Sequence, residues 1–154
     1  MPKEIERKFL VRGDGWRSGA AGLPIRQGYL CTDVERNIRV RTRGEHGYLT
    51  IKGAMRGLAR EEFEYAIPRD DADAMLDGLC QRPLIEKTRY VRDHGGCIWE
   101  IDVFEGENAG LIIAEVELQH EDQDIALPAW VGAEVSNDTR YLNVNLFRHP
   151  FTRW

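Results

Sequence analysis

Charged residues occupy alternate positions in a series of short stretches of this chain. The first stretch reads Glu4-Ile5-Glu6-Arg7-Lys8. Because a β-strand sends residues i, i+2 and i+4 to one face, Glu4, Glu6 and Lys8 lie side by side while Ile5 points the other way. The alternation recurs in Arg39-Val40-Arg41, Thr50-Ile51-Lys52, Glu62-Phe63-Glu64, Lys87-Thr88-Arg89, Glu100-Ile101-Asp102 and Glu115-Val116-Glu117. One charged face repeated around a sheet predicts a cavity lined by both carboxylates and cations.

The paired carboxylates suit a divalent metal ion. Glu4 with Glu6, and Glu115 with Glu117, each present two hard oxygen donors to one side of a strand. Mg²⁺ and Mn²⁺ bind a few such carboxylates together with phosphate oxygens and water. Further carboxylates could join the ligands or pair with the cations: Glu62, Glu64, Glu100 and Asp102. One such pair alone is typical of a solvated strand, so the interpretation depends on two pairs among matching cationic strands.

The cations suit a phosphate chain. Arg39, Arg41 and Arg43 share one strand face, and the set is extended by Lys8, Lys52, Lys87 and Arg89. Like charges facing each other destabilise a sheet unless an anion lies between them. Arginine can hold phosphate oxygens with two hydrogen bonds, and lysine acts as a point charge. The alternative is an ion-pair network that needs no ligand. If like charges repel in the empty cavity, replacing Glu4 or Glu6 by Ala leaves the fold intact or stabilises it.

Other catalytic chemistries have little support in the sequence. Nucleophilic catalysis by Ser or Cys needs a positioned base, and the four histidines fall in turns or near element ends: His46, His94, His120 and His149. The stretch from Gly53 to Gly57 lacks the Lys-Ser/Thr that completes a glycine-rich phosphate loop. Any phosphates must therefore be held by side chains.

The alternating stretches must be positioned by a sheet. Strands are predicted near 3–11, 25–31, 36–43, 47–52, 60–67, 85–93, 97–104 and 112–119. Short turns between most of them imply antiparallel neighbours. Helices are predicted after Pro68, from 137 or 138 to 147, and more briefly near 15–22. The apolar side chains at the alternate strand positions must also be shielded from water, which helices could do. We therefore expect a mainly β (α+β) fold: an eight-stranded antiparallel closed β-barrel, or tunnel, with a charged interior and helices packed outside.

The length of 154 residues indicates a single domain over residues 1–154. The formal net charge of −5 argues against a dedicated nucleic-acid binder, but an anionic ligand responds to the local field. No apolar run is long enough to span a bilayer and no signal-peptide core is evident, so we expect no membrane partner and a cytoplasmic location. The three cysteines lack metal-type spacing and are expected to be free thiols.

The ordered set of motifs resembles the CYTH superfamily, the triphosphate tunnel metalloenzymes. Glu4-Ile5-Glu6-Arg7-Lys8 looks like its E-x-E-x-K signature, and the later stretches follow in that family's order. The resemblance covers nearly the whole chain and is strongest to short bacterial members. It implies a tunnel that holds a small-molecule triphosphate and one or two divalent ions, Mg²⁺ or Mn²⁺. It also implies metal-dependent hydrolysis, most simply of inorganic tripolyphosphate to pyrophosphate and phosphate.

The resemblance also implies roles for particular residues. The main metal is expected at Glu4, Glu6 and Glu117. A second metal or the attacking water is expected at the catalytic set Glu62, Glu64, Asp102 and Glu115. The phosphates are expected to be bound by Lys8, Arg39, Arg41, Lys52, Lys87 and Arg89. Four further positions stay open between a site role and ordinary packing or solvation: Tyr29, Arg43, Arg60 and Arg140.

Three other functions stay open at this point. A class IV adenylate cyclase or a thiamine triphosphatase would use the same tunnel with another substrate. A non-catalytic module that binds polyphosphate or nucleotide would keep the cations but could dispense with paired carboxylates. The protein is expected to be a monomer or a homodimer.

Overall fold

A ring of β-strands dominates the computed structural model, which describes residues 2–17, 19 and 21–154. The strands in this part of the chain are β1 (Lys3–Val11), β2 (Leu23–Asp33), β3 (Arg36–Arg43), β4 (His46–Gly53), β5 (Ala59–Ile67), β6 (Ile85–His94), β7 (Cys97–Phe104), β8 (Ile112–Glu117) and β9 (Val131–Glu134). All eight predicted strands are present, within two residues at each end. β9 was not predicted, because Val-Gly-Ala-Glu is short and lacks alternation.

Antiparallel pairing closes the ring. Within the described residues the order is β1-β5-β4-β3-β2-β6-β7-β8 and back to β1. β1 completes the closure, since its first residues pair with β5 and its later ones with β8. β5 pairs with the first residues of β1, and β9 pairs with its last residues, where Val11 lies opposite Val131. The predicted eight-stranded tunnel is confirmed, and β3 lies four strands from β8, on the opposite wall.

The first helix covers part of the ring from outside, as predicted. α1 (Arg69–Gly78) begins directly after Pro68 and carries Asp70 and Asp71 in its first turn, where carboxylates stabilise the helix dipole. Its buried Ala72 and Leu76 pack against Val40 of β3. A second apolar cluster lies outside the ring around Trp16, Trp99 and Val116. The apolar side chains of these strands therefore point to the outside of the ring, as the alternation predicted.

The C-terminal segment differs from the prediction. A 3-10 turn at Thr139–Tyr141 and the extended Leu142 precede α2 (Asn143–Arg148), so the predicted helix from 137 or 138 is wrong in its first half. Of the short helix predicted near 15–22, the structure shows a 3-10 turn at Gly15–Arg17, while residues 18 and 20 lie outside the described part. No helix among the described residues is long and apolar enough to cross a membrane.

α2 closes one end of the tunnel. Ile85 and Ile113 lie two residues before Lys87 and Glu115, so they share the inner faces of β6 and β8. Leu146 and Phe147 of α2 pack against these two isoleucines. The inner face is thus apolar at this end and charged along the rest. The prediction that helices pack outside holds for α1 but not for α2, because the apolar inner end needs its own cover.

Candidate active site

The ring encloses a charged cavity of about 220 Å³. The predicted site residues that line it are Glu4, Glu6, Lys8, Arg39, Arg41, Lys52, Glu62, Glu64, Lys87, Arg89, Glu115 and Glu117. Among the described residues the lining carries eight Lys or Arg side chains and seven Glu side chains. Since these numbers nearly balance, what matters chemically is which charges already have partners within the protein.

Near the beginning of β1, cations and carboxylates neutralise each other. Glu4 lies opposite Arg60, and Lys52 lies opposite Glu62 on neighbouring strands. Lys52 Nζ lies 3.0 Å from Glu4 Oε2 and 3.2 Å from Glu62 Oε2, and Arg60 Nε donates to Glu4 Oε2 at 3.1 Å. Burial alone would raise the pKa of Glu4, but Lys52 and Arg60 hold it well below its usual value. At Glu4 these ion pairs remove the repulsion on which the prediction of an intact or stabilised fold after its replacement depends.

A second neutralised group surrounds Asp102. Arg89 donates to both carboxylate oxygens of Asp102, at 2.7 and 2.9 Å, and Lys87 Nζ lies 2.8 Å from the same group. Despite its burial, the pKa of Asp102 is lowered by these two cations. Asp102 is almost fully buried and, unlike the other predicted residues, lies behind the cavity lining. This position favours a role in holding Lys87 and Arg89 over the predicted role at a second metal.

Two carboxylates lack such neutralisation. Glu6 of β1 and Glu117 of β8 are directly opposite each other, although like charges at this separation destabilise a sheet. The closest cation to Glu6 is Lys8, at 4.0 Å, and none of the described cations forms an ion pair with Glu117. Burial, together with Glu115 and Glu4, raises the pKa of Glu6 well above its usual value. Burial and neighbouring carboxylates also raise the pKa of Glu117.

Two guanidinium groups on β3 lack full neutralisation as well. Arg39 and Arg41 are buried, and their neighbours across the strands are the neutral Gln27, Tyr29, Tyr48 and Thr50. Within the described chain their carboxylate partner is Glu64, at 3.9 and 3.5 Å. The Nε atoms of both arginines are buried without a hydrogen-bond acceptor. Burial and the charges of Arg39 and Arg89 lower the pKa of Arg41 to about 10.

The two unmatched sets face each other. Arg39 and Arg41 lie on β3, and Glu6 and Glu117 lie on β1 and β8, across the ring. Buried donors without acceptors are costly, and so is the partial burial of Glu6 beside other carboxylates, although Glu117 itself is exposed. A ligand that relieves both costs carries negative charge toward β3 and brings a cation toward β8.

The carboxylate wall fits a divalent cation in part. In residues 2–17, 19 and 21–154, no three His, Cys, Asp or Glu side chains are arranged to hold a metal ion by themselves. Mg²⁺, however, is commonly held by one or two carboxylates, with waters and substrate phosphates as the other ligands. Burial and the repulsion from neighbouring carboxylates raise the pKa of Glu6 and of Glu117, and a nearby cation would oppose that repulsion.

Several lining residues were undecided or missed. Tyr29, Arg43 and Arg60 line the cavity, whereas Arg140 is exposed and pairs with Asp138 outside it. Residues not predicted to line it include Asn37, Leu142, Asn143 and Val144. The strand alternation would have identified Asn37, which shares the face of Arg39. The other three belong to the segment that closes the tunnel, which no periodicity in the sequence indicates.

The chain is similar in sequence and structure to known proteins. The model of the CYTH domain family matches residues 2–149. An inorganic triphosphatase of Acetivibrio thermocellus is 48% identical over 151 residues, covering 98% of this chain and 97% of that protein. An inorganic triphosphatase of Nitrosomonas europaea is 39% identical over 146 residues, covering 91% and 93%. A solved structure of an inorganic triphosphatase matches with a TM-score of 0.68 and 35% identity, covering 96% of this chain and 95% of that one.

Proposed function

This chain belongs to the CYTH domain family, and we propose that it hydrolyses inorganic tripolyphosphate to pyrophosphate and phosphate inside its tunnel. The names of its relatives and the nature of the cavity both support this reaction. In the reaction the oxygen of water bonds to a terminal phosphorus, the bridging P–O bond breaks, and pyrophosphate leaves. The protons of the water pass to the products and the solvent.

One structural observation carries the proposal: the unmatched guanidinium groups of β3 face the unmatched carboxylates of β1 and β8. A triphosphate accompanied by a divalent cation satisfies both walls at once. The Nε–H groups of Arg39 and Arg41 gain phosphate oxygens as acceptors, and Glu6 and Glu117 gain a counterion. The lining offers few neutral or aromatic side chains for an organic group, which favours the inorganic substrate.

The cations bind the phosphates and stabilise the charge that develops as the bridging bond breaks, which is the main contribution that proteins make to phosphoryl transfer. We assign this role to Lys8, Arg39, Arg41, Lys52, Lys87 and Arg89. In the free protein Lys52 and Lys87 are held by carboxylates at fixed positions. Substrate therefore meets cations that are already oriented.

We assign the divalent ion, Mg²⁺ or Mn²⁺, to Glu6 and Glu117 with Glu4 beside them. When bound, such an ion neutralises phosphate charge and lowers the pKa of water. Glu62, Glu64 and Glu115 are assigned to a second ion or to orienting the attacking water. A cytoplasmic location, a monomeric or homodimeric state and the absence of nucleic-acid binding stay predictions.

Phosphate release should test the reaction directly. With Mg²⁺ or Mn²⁺, we expect tripolyphosphate to be cleaved faster than ATP, thiamine triphosphate or pyrophosphate, because pyrophosphate reaches too few of the cations. Excess chelator should abolish the release. Undiminished release in chelator, or formation of cyclic AMP from ATP faster than tripolyphosphate cleavage, would contradict the proposal. Binding of tripolyphosphate without turnover would instead indicate a binding module.

Variants at Glu4 and Glu6 should both lose activity but differ in their effect on stability. Replacing either by Gln should cut turnover on the order of a hundredfold, because each belongs to the proposed metal site. Urea unfolding at neutral pH should show a loss of about 2–3 kcal/mol for Glu4→Gln, which replaces the carboxylate that accepts from Lys52 and Arg60 by a neutral amide with one acceptor oxygen. Glu6→Gln should keep or raise stability, since it removes a carboxylate whose pKa is raised in the folded state. Equal effects of both variants on stability would argue against the observed division of charges.

A further inference from the structure

Asn143 connects the segment that closes the tunnel to the charged cavity. It is the first residue of α2 and lines the cavity. Three and four residues later, Leu146 and Phe147 anchor α2 in the apolar end of the ring, against Ile85 and Ile113. The position of the Asn143 backbone is therefore held by packing outside the charged region.

The side-chain oxygen of Asn143 accepts two hydrogen bonds. Lys87 Nζ donates to Oδ1 at 3.1 Å, and Gln27 Nε2 donates to the same oxygen at 2.9 Å. Because an ammonium group can only donate, the oxygen and not the amide nitrogen of Asn143 must face Lys87. Gln27 is fully buried, so the second bond holds this orientation from the protein side.

The direction of the Lys87 ammonium group follows from its partners. An ammonium group has three N–H donors arranged tetrahedrally. Asp102 Oδ2 accepts at 2.8 Å and Asn143 Oδ1 accepts at 3.1 Å, which leaves one donor. Lys87 is buried on its other sides but lines the cavity, so its remaining donor can find a partner only inside the cavity. Without Asn143, the ammonium group would keep one hydrogen-bond acceptor among the described residues, Asp102, besides its contact with the Phe104 ring at 5.3 Å.

We propose that Asn143 is a positioning residue that fixes the Lys87 ammonium group so that its third N–H points at a substrate phosphate. The inference rests on the proposed triphosphatase function and extends it: the C-terminal segment supplies part of the phosphate site as well as its closed end. Asn143 acts through Lys87, so its contribution depends on the presence of the lysine.

A double-mutant cycle tests this dependence. The variants are Asn143→Ala, Lys87→Ala and the double variant, with Asn145→Ala as the matched control. Asn145 lies in the same helix, but its amide donates to the backbone carbonyl of Thr139 outside the tunnel. Two quantities are measured: kcat and KM for tripolyphosphate with Mg²⁺, and the Kd for tripolyphosphate by calorimetry in EDTA, where no turnover is expected. Calorimetric stoichiometry reports the folded fraction, so affinities compare folded molecules only.

We expect Asn143→Ala to lower kcat/KM about ten- to a hundredfold, the scale of losing a hydrogen bond to a charged group, and to weaken binding in EDTA. In the Lys87→Ala background the same change should cost less than about twofold, which is within the scatter of independent sites. Asn145→Ala should match the wild type. Equal losses in both backgrounds, or wild-type values for Asn143→Ala, would overturn the proposal. A wild type without phosphate release would contradict the proposed function alone, because the EDTA affinities would still test Asn143.

Discussion

Replacing Asp102 by Ala should lower the free energy of unfolding by roughly 3–5 kcal/mol, the scale for breaking a buried ion pair by removing one partner. Asp102 is buried together with Lys87 and Arg89, which both bind its carboxylate. Without it, two buried cations lie next to each other, and among the described residues only Arg89 keeps a carboxylate partner, Glu100 at 2.9 Å. Urea unfolding at neutral pH measures the loss.

Glu107→Ala is the matched control for Asp102→Ala. Glu107 also pairs with an arginine, Arg153, at 3.3 Å, but both side chains are largely exposed. Exposed pairs contribute about 0–1 kcal/mol, so this variant should unfold nearly as the wild type does. If Asp102→Ala costs no more than Glu107→Ala, Lys87 and Arg89 do not depend on Asp102 for their burial.

Replacing Arg41 by Ala should weaken transition-state stabilisation by roughly 2–4 kcal/mol, the scale for losing a donor in a preorganised site. This corresponds to a loss of about 30- to 1,000-fold in kcat/KM for tripolyphosphate. Arg41 is buried, and its Nε–H has no acceptor in the free protein, so substrate meets a donor that needs no desolvation. Arg39→Lys should also be harmful, since lysine restores the charge but not the planar fork.

Two comparisons keep the Arg41 prediction specific. Arg12 lies just beyond β1 and is exposed, so Arg12→Ala should change kcat/KM little.

Tripolyphosphate should raise the melting temperature of the wild type, because it binds the folded tunnel and not the unfolded chain. The Arg41→Ala/Lys87→Ala double variant should lose most of that shift. Equal shifts in both proteins would show that the ligand binds elsewhere.

The sequence predicted the ring and its inner face because a strand repeats every two residues. Charged residues on one parity and Val40, Ile101 and Val116 on the other indicate both the strands and the direction of each side chain. A one-residue error in the assignment of a strand would have placed its charged side chains on the outer face. The closed end had no such signal. Leu146 and Phe147 look like any apolar helix residues until Ile85 and Ile113 are seen to share an inner surface.

The sequence could not distinguish matched from unmatched charges. Glu4 and Glu6 belong to one motif, yet the register places Glu4 opposite Arg60 and Glu6 opposite Glu117. That difference arises from neighbours far apart in the chain and reverses the direction of the pKa shift between two residues of the same strand face. Asp102 likewise reads as a site carboxylate, whereas the fold places it behind Lys87 and Arg89.

A crystal structure with Mn²⁺ and a non-hydrolysable imido analogue of tripolyphosphate tests the central claim most directly, because anomalous scattering locates the metal independently of the phosphates. We predict a Mn²⁺ peak bound by Glu6 and Glu117, and phosphate oxygens on the Nε–H groups of Arg39 and Arg41 across the tunnel. Metal bound away from both carboxylates, or an analogue bound outside the tunnel, would contradict the account.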